Sequence, residues 1–508
     1  MSIISETIRL NNDDNVVVAR ISLICDQMIS SEKIKVLQDV PRGHKIATVD
    51  IGKGQAVRKY DQIIGFATNN IKAGQHVHSH NAEFGDFARD YAYGEAVQLT
   101  NYVPEKDRDT FQGYVRDNGR VGTRNYIGIL ASVNCSDSVA RLIADHFDKH
   151  AMETWPNVDG VVALPHQTGC CMPLDGETHG NLERALVGYA RHPNFAGVLI
   201  VGLGCEVAQI DGMLESYDLQ KSDTLHSLVI QECGGTASTV SAGIERVEAM
   251  LVAANKATRS TCPASELTVA LECGGSDGYS GITANPALGI AVDTLVRNGG
   301  TAILAETPEI YGAEHLLTRR AISREVGEKL IARIHWWEQH TAANQARMDN
   351  NPTPGNKKGG LTTILEKSLG AAAKGGTTAL MDVYRYAEQV TARGFVFMDT
   401  PGYDPASITG MVAGGANLTC FTTGRGSVYG GKPVPSIKLA TNTEMYERMQ
   451  DDMDINCGVI VDGTATTEET GAQIFQMILE TASGNMSLSE KHGIGDLEFC
   501  PWQIGAVM

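Results

Sequence analysis

Up to Asn81, apolar and polar positions alternate along the chain. ETIRL, NVVVARI and KIATVDI put an apolar side chain at nearly every second residue and are separated by turn residues, a pattern that predicts short, half-buried β strands rather than helices. Within this stretch IGKGQAV, starting at Ile51, and IKAGQHV, starting at Ile71, repeat a strand–turn–strand phrase with a glycine where a tight turn needs positive φ. A small β module over residues 1–81 is expected to fold on its own. Residues 82–112 are polar and irregular and read as a linker.

From Tyr126 the period changes. Short apolar runs (YIGILASV, VDGVVALPH, AGVLIVGLG, LHSLVIQE, LTVALE and TAILAE) alternate with helix-forming stretches such as SDSVARLIADHF and ASTVSAGIERVEAMLVAANK. This βαβ rhythm predicts a parallel sheet covered by helices on both faces. A break rich in Pro, Gly, Asn and Lys, DNNPTPGNKKGG from Asp349, precedes further strand signals in GFVFMDT, NLTCFTT, SIKLAT and CGVIVDG. The expected fold class is α/β: a small N-terminal β domain, an α/β body over 113–348 and a second over 349–508, both with mainly parallel sheets.

Length and charge sharpen this picture. At 508 residues the chain exceeds what one core holds, since single cores stop growing at about 250–300 residues, so several domains are required. The net charge of −18 offers no bulk positive field to a nucleic-acid backbone or an anionic bilayer, and neither partner is expected. An anionic small molecule would need a local basic cluster. The 11 cysteines are odd in number and lack a CxxC…CxxC pairing, no run of about 18 apolar residues occurs, and MSIISETIRLNNDDN lacks a basic segment followed by an apolar one. A cytoplasmic protein with reduced thiols is expected, each cysteine being a small buried hydrophobe, a ligand or a nucleophile.

Chemically active residues recur at the ends of the predicted strands. The first ends in SVNC with Cys135, the second in LPHQTGCC with His166, Cys170 and Cys171, and the third in GLGCE with Cys205 and Glu206. The fourth ends in QECGG with Cys233, the fifth in LECGGSDGYSG with Cys273 and Asp277, and the sixth in AETPE with Glu306 and Glu309. Carboxyl ends of parallel strands share an edge where ligands bind, so all six are expected to face one rim. Any one such cysteine alone is more simply a buried apolar residue, and Cys25, Cys262 and Cys500, outside the pattern, are read as structural.

Two further groups stand out. VGTRN with Arg124, GNKKGG with Lys357 and Lys358, and TGRGSVYGGK with Arg425 and Lys432 set cations among glycines, where backbone N–H groups and a bidentate Arg can close on a carboxylate or phosphate. None has P-loop spacing, and GLGCE lacks the third glycine of a dinucleotide fingerprint. HVHSHN spaces His76, His78 and His80 by two, which on a strand puts them on one face and suits a first-row divalent metal; His44, in PRGHK, lies in the same module.

PRGHK, HVHSHN, SVNC, HQTGC, VGLGCE, ECGGSDGYSGITANP, NPTPGNKKGG, EKSLG and FTTGRGSVYGG together resemble, in order and across almost the whole chain, the phrases of the altronate dehydratase and galactarate dehydratase family. The resemblance implies an N-terminal β-clip module of the SAF type, a large α/β catalytic region, and dehydration of a sugar acid to a 2-keto-3-deoxy sugar acid with a divalent iron requirement. HVHSHN looks like the altronate type, and RSTCPASELTVALECGGSD, from Arg259, more like the galactarate enzymes. A further branch of the family removes sulfite from sulfolactate. The ending EFCPWQIGAVM departs from both sugar-acid types and leaves room for another aldonate or aldarate.

Such a dehydration takes a proton from the carbon beside a carboxylate and expels hydroxide from the next carbon. A divalent cation or fixed Lys and Arg donors must stabilise the dianionic intermediate, and a base working near neutrality, usually histidine, must take the proton. The candidate catalytic residues are His44, His166, Glu206 and Asp277; the candidate substrate-binding residues are Arg124, Asn285, Lys357, Lys358 and Arg425. Two metal arrangements compete. Fe2+ or Mn2+ is held by His76, His78 and carboxylates of the β module, or an iron or iron–sulfur centre is held by Cys135, Cys170, Cys205 and Cys273. The cysteine spacings match no ferredoxin run, which favours the mononuclear ion. A homodimer acting on a small sugar acid is the expected assembly.

Overall fold

The computed structural model describes residues 5–505. The N-terminal module is made of small antiparallel sheets. One runs in the order Thr7–Ile8, Val16–Ala19, Lys45–Ala47, His76–Val77, another in the order Ala56–Lys59, Gln62–Ala67, Ala82–Glu83, and Met28–Ile29 pairs with Ile34–Lys35. The repeated phrase forms two matching turns. In each, a glutamine side chain accepts the N–H of the residue three earlier, Gly52 to Gln55 and Lys72 to Gln75, both at 2.7 Å. Gly54 and Gly74 take φ of +78° and +89°, as such turns demand. The module's core of Val16, Ile51, Val57, Ile64, Ile71 and Val77 is closed by Ala313, Leu369 and Ala372 of the C-terminal body, so it is completed by docking rather than within the module.

The segment after the module is laid on that same body. Arg89 pairs with Glu314 at 3.0 Å, and the Thr318 hydroxyl donates to the Tyr91 carbonyl at 2.7 Å.

Two parallel sheets follow. The first has the order Gly160–Leu164, Tyr126–Ala131, Phe195–Gly202, Leu225–Val229, with helices Asp137–Asp145, Glu177–Ala190 and Thr236–Ala254 packed on it. The second is seven-stranded, in the order Leu380–Tyr384, Gly394–Met398, Thr301–Leu304, Thr268–Cys273, Leu418–Thr423, Ser436–Ala440, Ile455–Asn456. Strands Thr268–Cys273 and Thr301–Leu304, expected in the first body, pair into this second sheet. The break at Asp349 therefore lies inside one body, and the two bodies divide near residue 260. A short apolar run carries no mark of the sheet it will join, because any buried parallel strand reads alike. NPTPGNKKGG forms instead a short helix, Pro354–Lys358, opened by a capping box between Thr353 and Asn356.

Strand order in the larger sheet reverses at Thr268–Cys273. Thr301–Leu304, Gly394–Met398 and Leu380–Tyr384 lie on one side of it, and the strands from Leu418 onward on the other. The loops after Cys273 and Thr423 thus diverge from a topological switch point, where an open α/β sheet leaves a crevice. No described helix is long and apolar enough to cross a membrane.

Candidate active site

His76 pairs with Ile46 at the edge of the module's sheet, and His78 follows in a turn closed by Asn81. The Asn81 carboxamide accepts the His78 N–H and donates to the His76 carbonyl, both at 2.9 Å. Only His76–Val77 is strand, so this turn rather than strand alternation stacks His76 on His78, with ring centroids 5.5 Å apart and planes at 14°. His80 lies 5.3 Å from His76. His44 arrives from the PRGHK turn, its Nδ1 3.0 Å from His76 Nε2 and its ring centroid 4.8 Å from that of His78.

One ring nitrogen from each of His44, His76 and His78 lies within 4.8 Å of the others. Nε2 of His44 is 3.2 Å from the Lys358 carbonyl. Donating a proton there leaves the Nδ1 lone pair turned toward His76, the way a backbone carbonyl orients a metal-binding imidazole. Nδ1 of His78 is buried with no hydrogen-bond partner. Burial first, and then neighbouring imidazoles and Lys45, pull His76 down to about 3 and His78 to about 4; burial also lowers His44. All three are therefore neutral at pH 7, with lone pairs to offer. Three neutral imidazoles with one orphaned nitrogen fit a first-row divalent cation, and His44 takes the place expected of a module carboxylate.

Three backbone segments close on this cluster. The Gly278 N–H donates to the Gly359 carbonyl at 2.8 Å, and a Cβ at Gly278 or Gly360 would sit 2.1 or 2.4 Å from the Gly43 carbonyl oxygen. Glycine at both positions is what lets the module dock this closely. Arg425 leaves the strand beside the switch point. Its N–H donates to the Gly275 carbonyl at 2.8 Å, and its Cδ lies 3.2 Å from where a Cβ on Gly359 would be. Arg425 and Lys358 are exposed and Lys357 is half-buried, so the segments that close on the imidazoles carry cations in an otherwise acidic molecule.

Asp277 plays a different part from the one expected. Its carboxylate accepts from the Tyr279 N–H, Ser280 Oγ, Thr441 Oγ1 and Asn442 Nδ2 at 2.9–3.1 Å. Holding four donors, it pins the switch-point loops together. The module itself is locked by Lys45 and Lys59, both fully buried, which donate to Glu366 at 2.8 and 2.9 Å. Burial pushes the Glu366 carboxyl up, but the two ammonium groups more than reverse this and leave it at about 2. Sequence reasoning missed this trio. Its one sign was a lysine opening the apolar run KIATV, which a solvent-facing strand end would equally carry.

Four other candidates are committed to structure. His166 is buried in the middle body, Nε2 on the Ala131 carbonyl at 2.8 Å and Nδ1 accepting the Thr168 N–H, and burial lowers it to about 4. Glu206 accepts from the Ser132 hydroxyl and the N–H groups of Leu203 and Gly204, shaping the loop it sits in. Arg124 forks onto Glu490 at 2.6 and 2.8 Å and donates to three carbonyls. Asn285 accepts from Thr422 Oγ1 and donates to the Gly370 carbonyl, fully buried.

The single rim of six strand ends is also corrected. Cys135, Cys170 and Cys205 are exposed at the edge of the four-stranded sheet, with Cys171 Sγ 3.8 Å from Cys170 Sγ. Cys273 ends a strand of the other sheet, 1% exposed, and burial pushes its thiol up to about 11. The four-cysteine centre is therefore not assembled. Among the described residues, the close groups of potential metal ligands include none of the exposed cysteines.

Comparison with known proteins follows the same division of the chain. Residues 5–85 match the altronate/galactarate dehydratase SAF domain, 113–255 the second domain of D-galactarate dehydratase/altronate hydrolase, and 264–507 the D-galactarate/altronate dehydratase C-terminal domain. An altronate dehydratase of Bacillus subtilis (strain 168) is 34% identical, over 96% of this chain and 97% of its own length. An altronate dehydratase of Escherichia coli (strain K12) is 36% identical over 96% and 98%. The galactarate dehydratase (L-threo-forming) of the same strain is 36% identical over 91% and 90%.

Proposed function

The chain belongs to the altronate/galactarate dehydratase family and is a hydro-lyase acting on a sugar acid; from that premise we propose that it removes water from an aldonate or aldarate where the β module meets the switch point, giving a 2-keto-3-deoxy acid. The observation that carries this placement is the meeting of three neutral imidazoles, His44, His76 and His78, with the backbone segments that carry the exposed cations Arg425 and Lys358.

Arg425 and Lys358 bind the substrate carboxylate, the guanidinium offering paired N–H donors, and so turn the adjacent carbon toward the imidazoles. His44, His76 and His78 are the residues that would hold Fe2+ or Mn2+, which when bound supplies Lewis acidity to the developing negative charge and the departing hydroxyl. His80, the exposed imidazole beside His76, accepts the proton from the carbon next to the carboxylate at a ring nitrogen. The docked backbones at Gly43, Gly278 and Gly360 exclude water from one side of the cluster.

A panel of aldonates and aldarates, assayed for 2-keto acid with semicarbazide in the presence and absence of Fe2+ and reductant, tests the reading. Turnover of at least one acid, abolished by chelator and restored by Fe2+, supports it. No turnover of altronate, galactarate or their epimers overturns the substrate class. Acid-labile sulfide in active protein, with a strong absorbance band near 400 nm, would replace the histidine-bound ion with an iron–sulfur centre.

A further inference from the structure

Beneath the switch-point loop lies a second constellation that the proposed dehydration does not use. Glu272 and Cys273 end the central strand, Glu306 follows Thr301–Leu304, Glu309 sits in the turn Thr307–Ile310, and Asp404 opens the helix Asp404–Ala413. One ligand atom from each of Cys273, Glu306 and Glu309 lies within 4.8 Å of the others, and the same holds for Glu272, Glu306 and Asp404. Glu306 is thus the hub of both sets.

Their environment is close to dry: Glu272, Cys273, Glu306 and Glu309 are at most 4% exposed. Glu309 has partners, in Lys367, the Asn351 amide at 3.0 Å and the Cys273 thiol at 3.5 Å. Glu306 has no fixed donor at either carboxylate oxygen, and nor has Oε2 of Glu272; the two carboxyls face each other and can share only a proton. The Glu306 backbone is held at φ +65°, with its N–H on the Thr400 hydroxyl at 2.8 Å. A left-handed conformation is costly at a residue with a Cβ, and an unsatisfied buried polar group costs more than an exposed one. Both costs fall on one side chain, the one common to both ligand groups.

Carboxylates outnumber ammonium groups in this constellation. Four carboxylates, Glu272, Glu306, Glu309 and Asp404, gather around two ammonium groups, Lys367 and Lys374. Burial and mutual repulsion raise the Glu306, Glu272 and Asp404 carboxyls, so protons hold part of this charge and a cation entering the group would displace them. We propose that Glu306, Glu309 and Cys273 form a site for one divalent first-row transition cation, with Glu272 and Asp404 balancing its charge. The thiol directs the choice, since Mg2+ and Ca2+ favour oxygen ligands alone whereas Fe2+, Co2+ and Zn2+ accept a mixed oxygen and sulfur set. Gly402, exposed, lies over the group, its Cβ position 3.7 Å from Glu309 Cγ.

The full-length protein, stripped with chelator and titrated with Co2+ alone, tests this without reference to turnover. Two ions per chain are expected, with a thiolate-to-cobalt charge-transfer band in the near ultraviolet. Cys273→Ser should abolish the band and Glu306→Gln should reduce the stoichiometry to one ion. The band should persist in the double variant His76→Asn/His78→Asn, which disables the histidine cluster, and in Cys170→Ser/Cys171→Ser, which removes the paired exposed thiols. A single ion per chain with no band, the result if protons neutralise the pocket, overturns the proposal. So does a band that survives Cys273→Ser or vanishes with the exposed thiols. If Glu306→Gln does not fold, the serine variant decides alone, because it changes one buried atom.

Discussion

At the carboxyl edge of the four-stranded sheet, Cys135, Cys170 and Cys205 stand exposed while His166 and Glu206 are tied to nearby backbone and hydroxyl groups. At the same edge of the seven-stranded sheet, Cys273, Glu306 and Glu309 are sealed inside, and the loops above them meet three imidazoles brought by another domain. Both edges announce themselves identically along the chain, as thiols and carboxylates following apolar runs. What separates them is what docks on top. The β module closes over the second edge and supplies His44, His76 and His78, whereas at the first edge the thiols stay exposed and His166 and Glu206 are held by backbone and hydroxyl groups.

Substitutions sort the two edges by size of effect. His78→Asn should lower kcat/KM on the order of 1,000-fold and remove bound iron, because Lewis-acid stabilisation is worth several kcal/mol and each 1.36 kcal/mol is tenfold; an effect under tenfold would dissolve the contrast. Arg124→Met should leave the kinetics of folded protein intact yet cost about 3 kcal/mol in stability, since it strands the buried Glu490 carboxylate. Denaturant unfolding beside steady-state kinetics separates the two readouts. Arg425→Met should raise KM about 10–100-fold with a smaller change in kcat, the worth of a charged hydrogen bond to a carboxylate at about 1.5–3 kcal/mol; unchanged KM removes Arg425 from the site.

The module's anchorage gives a pH signature. Glu366 titrates at about 2 in the folded protein and near its ordinary 4.5 when unfolded. Between those values the unfolded chain binds a proton that the folded chain does not. The contribution is whole above about pH 4.5 and drains away as pH falls toward 2. Thermal unfolding across that window should show wild type losing stability more steeply than Glu366→Gln. Smallest of all, Cys205→Ser at the first edge should change kcat/KM less than about twofold, within what an exposed substitution does; a large loss would bring the exposed thiols back into the chemistry.

The legible parts were local. The repeat around Ile51 and Ile71 announced paired turns because a glycine and a glutamine side chain suffice to build each one. HVHSHN announced a cluster because three imidazoles within five residues cannot be far apart, although the turn closed by Asn81, not a strand face, sets their stacking. Arg124 was misread for the opposite reason. Its carboxylate partner, Glu490, is 366 positions away, and a glycine-adjacent arginine looks the same whether it awaits a substrate or an internal ion pair.

Residue order alone determined the α/β class, the β module ahead of it, the presence of a histidine cluster and the glycine-bounded cations, because each depends on neighbours a few positions apart. Tertiary structure decided which strands share a sheet, that Cys273 parts company with the other cysteines, and that His44 and Lys358 meet. It also decided that Lys45 and Lys59 spend their charge on Glu366. The physical reason is burial. Whether a carboxylate, thiol or imidazole is a ligand, an anchor or a bystander depends on the solvent it loses and the partner it gains, and both are set by chain segments hundreds of residues apart.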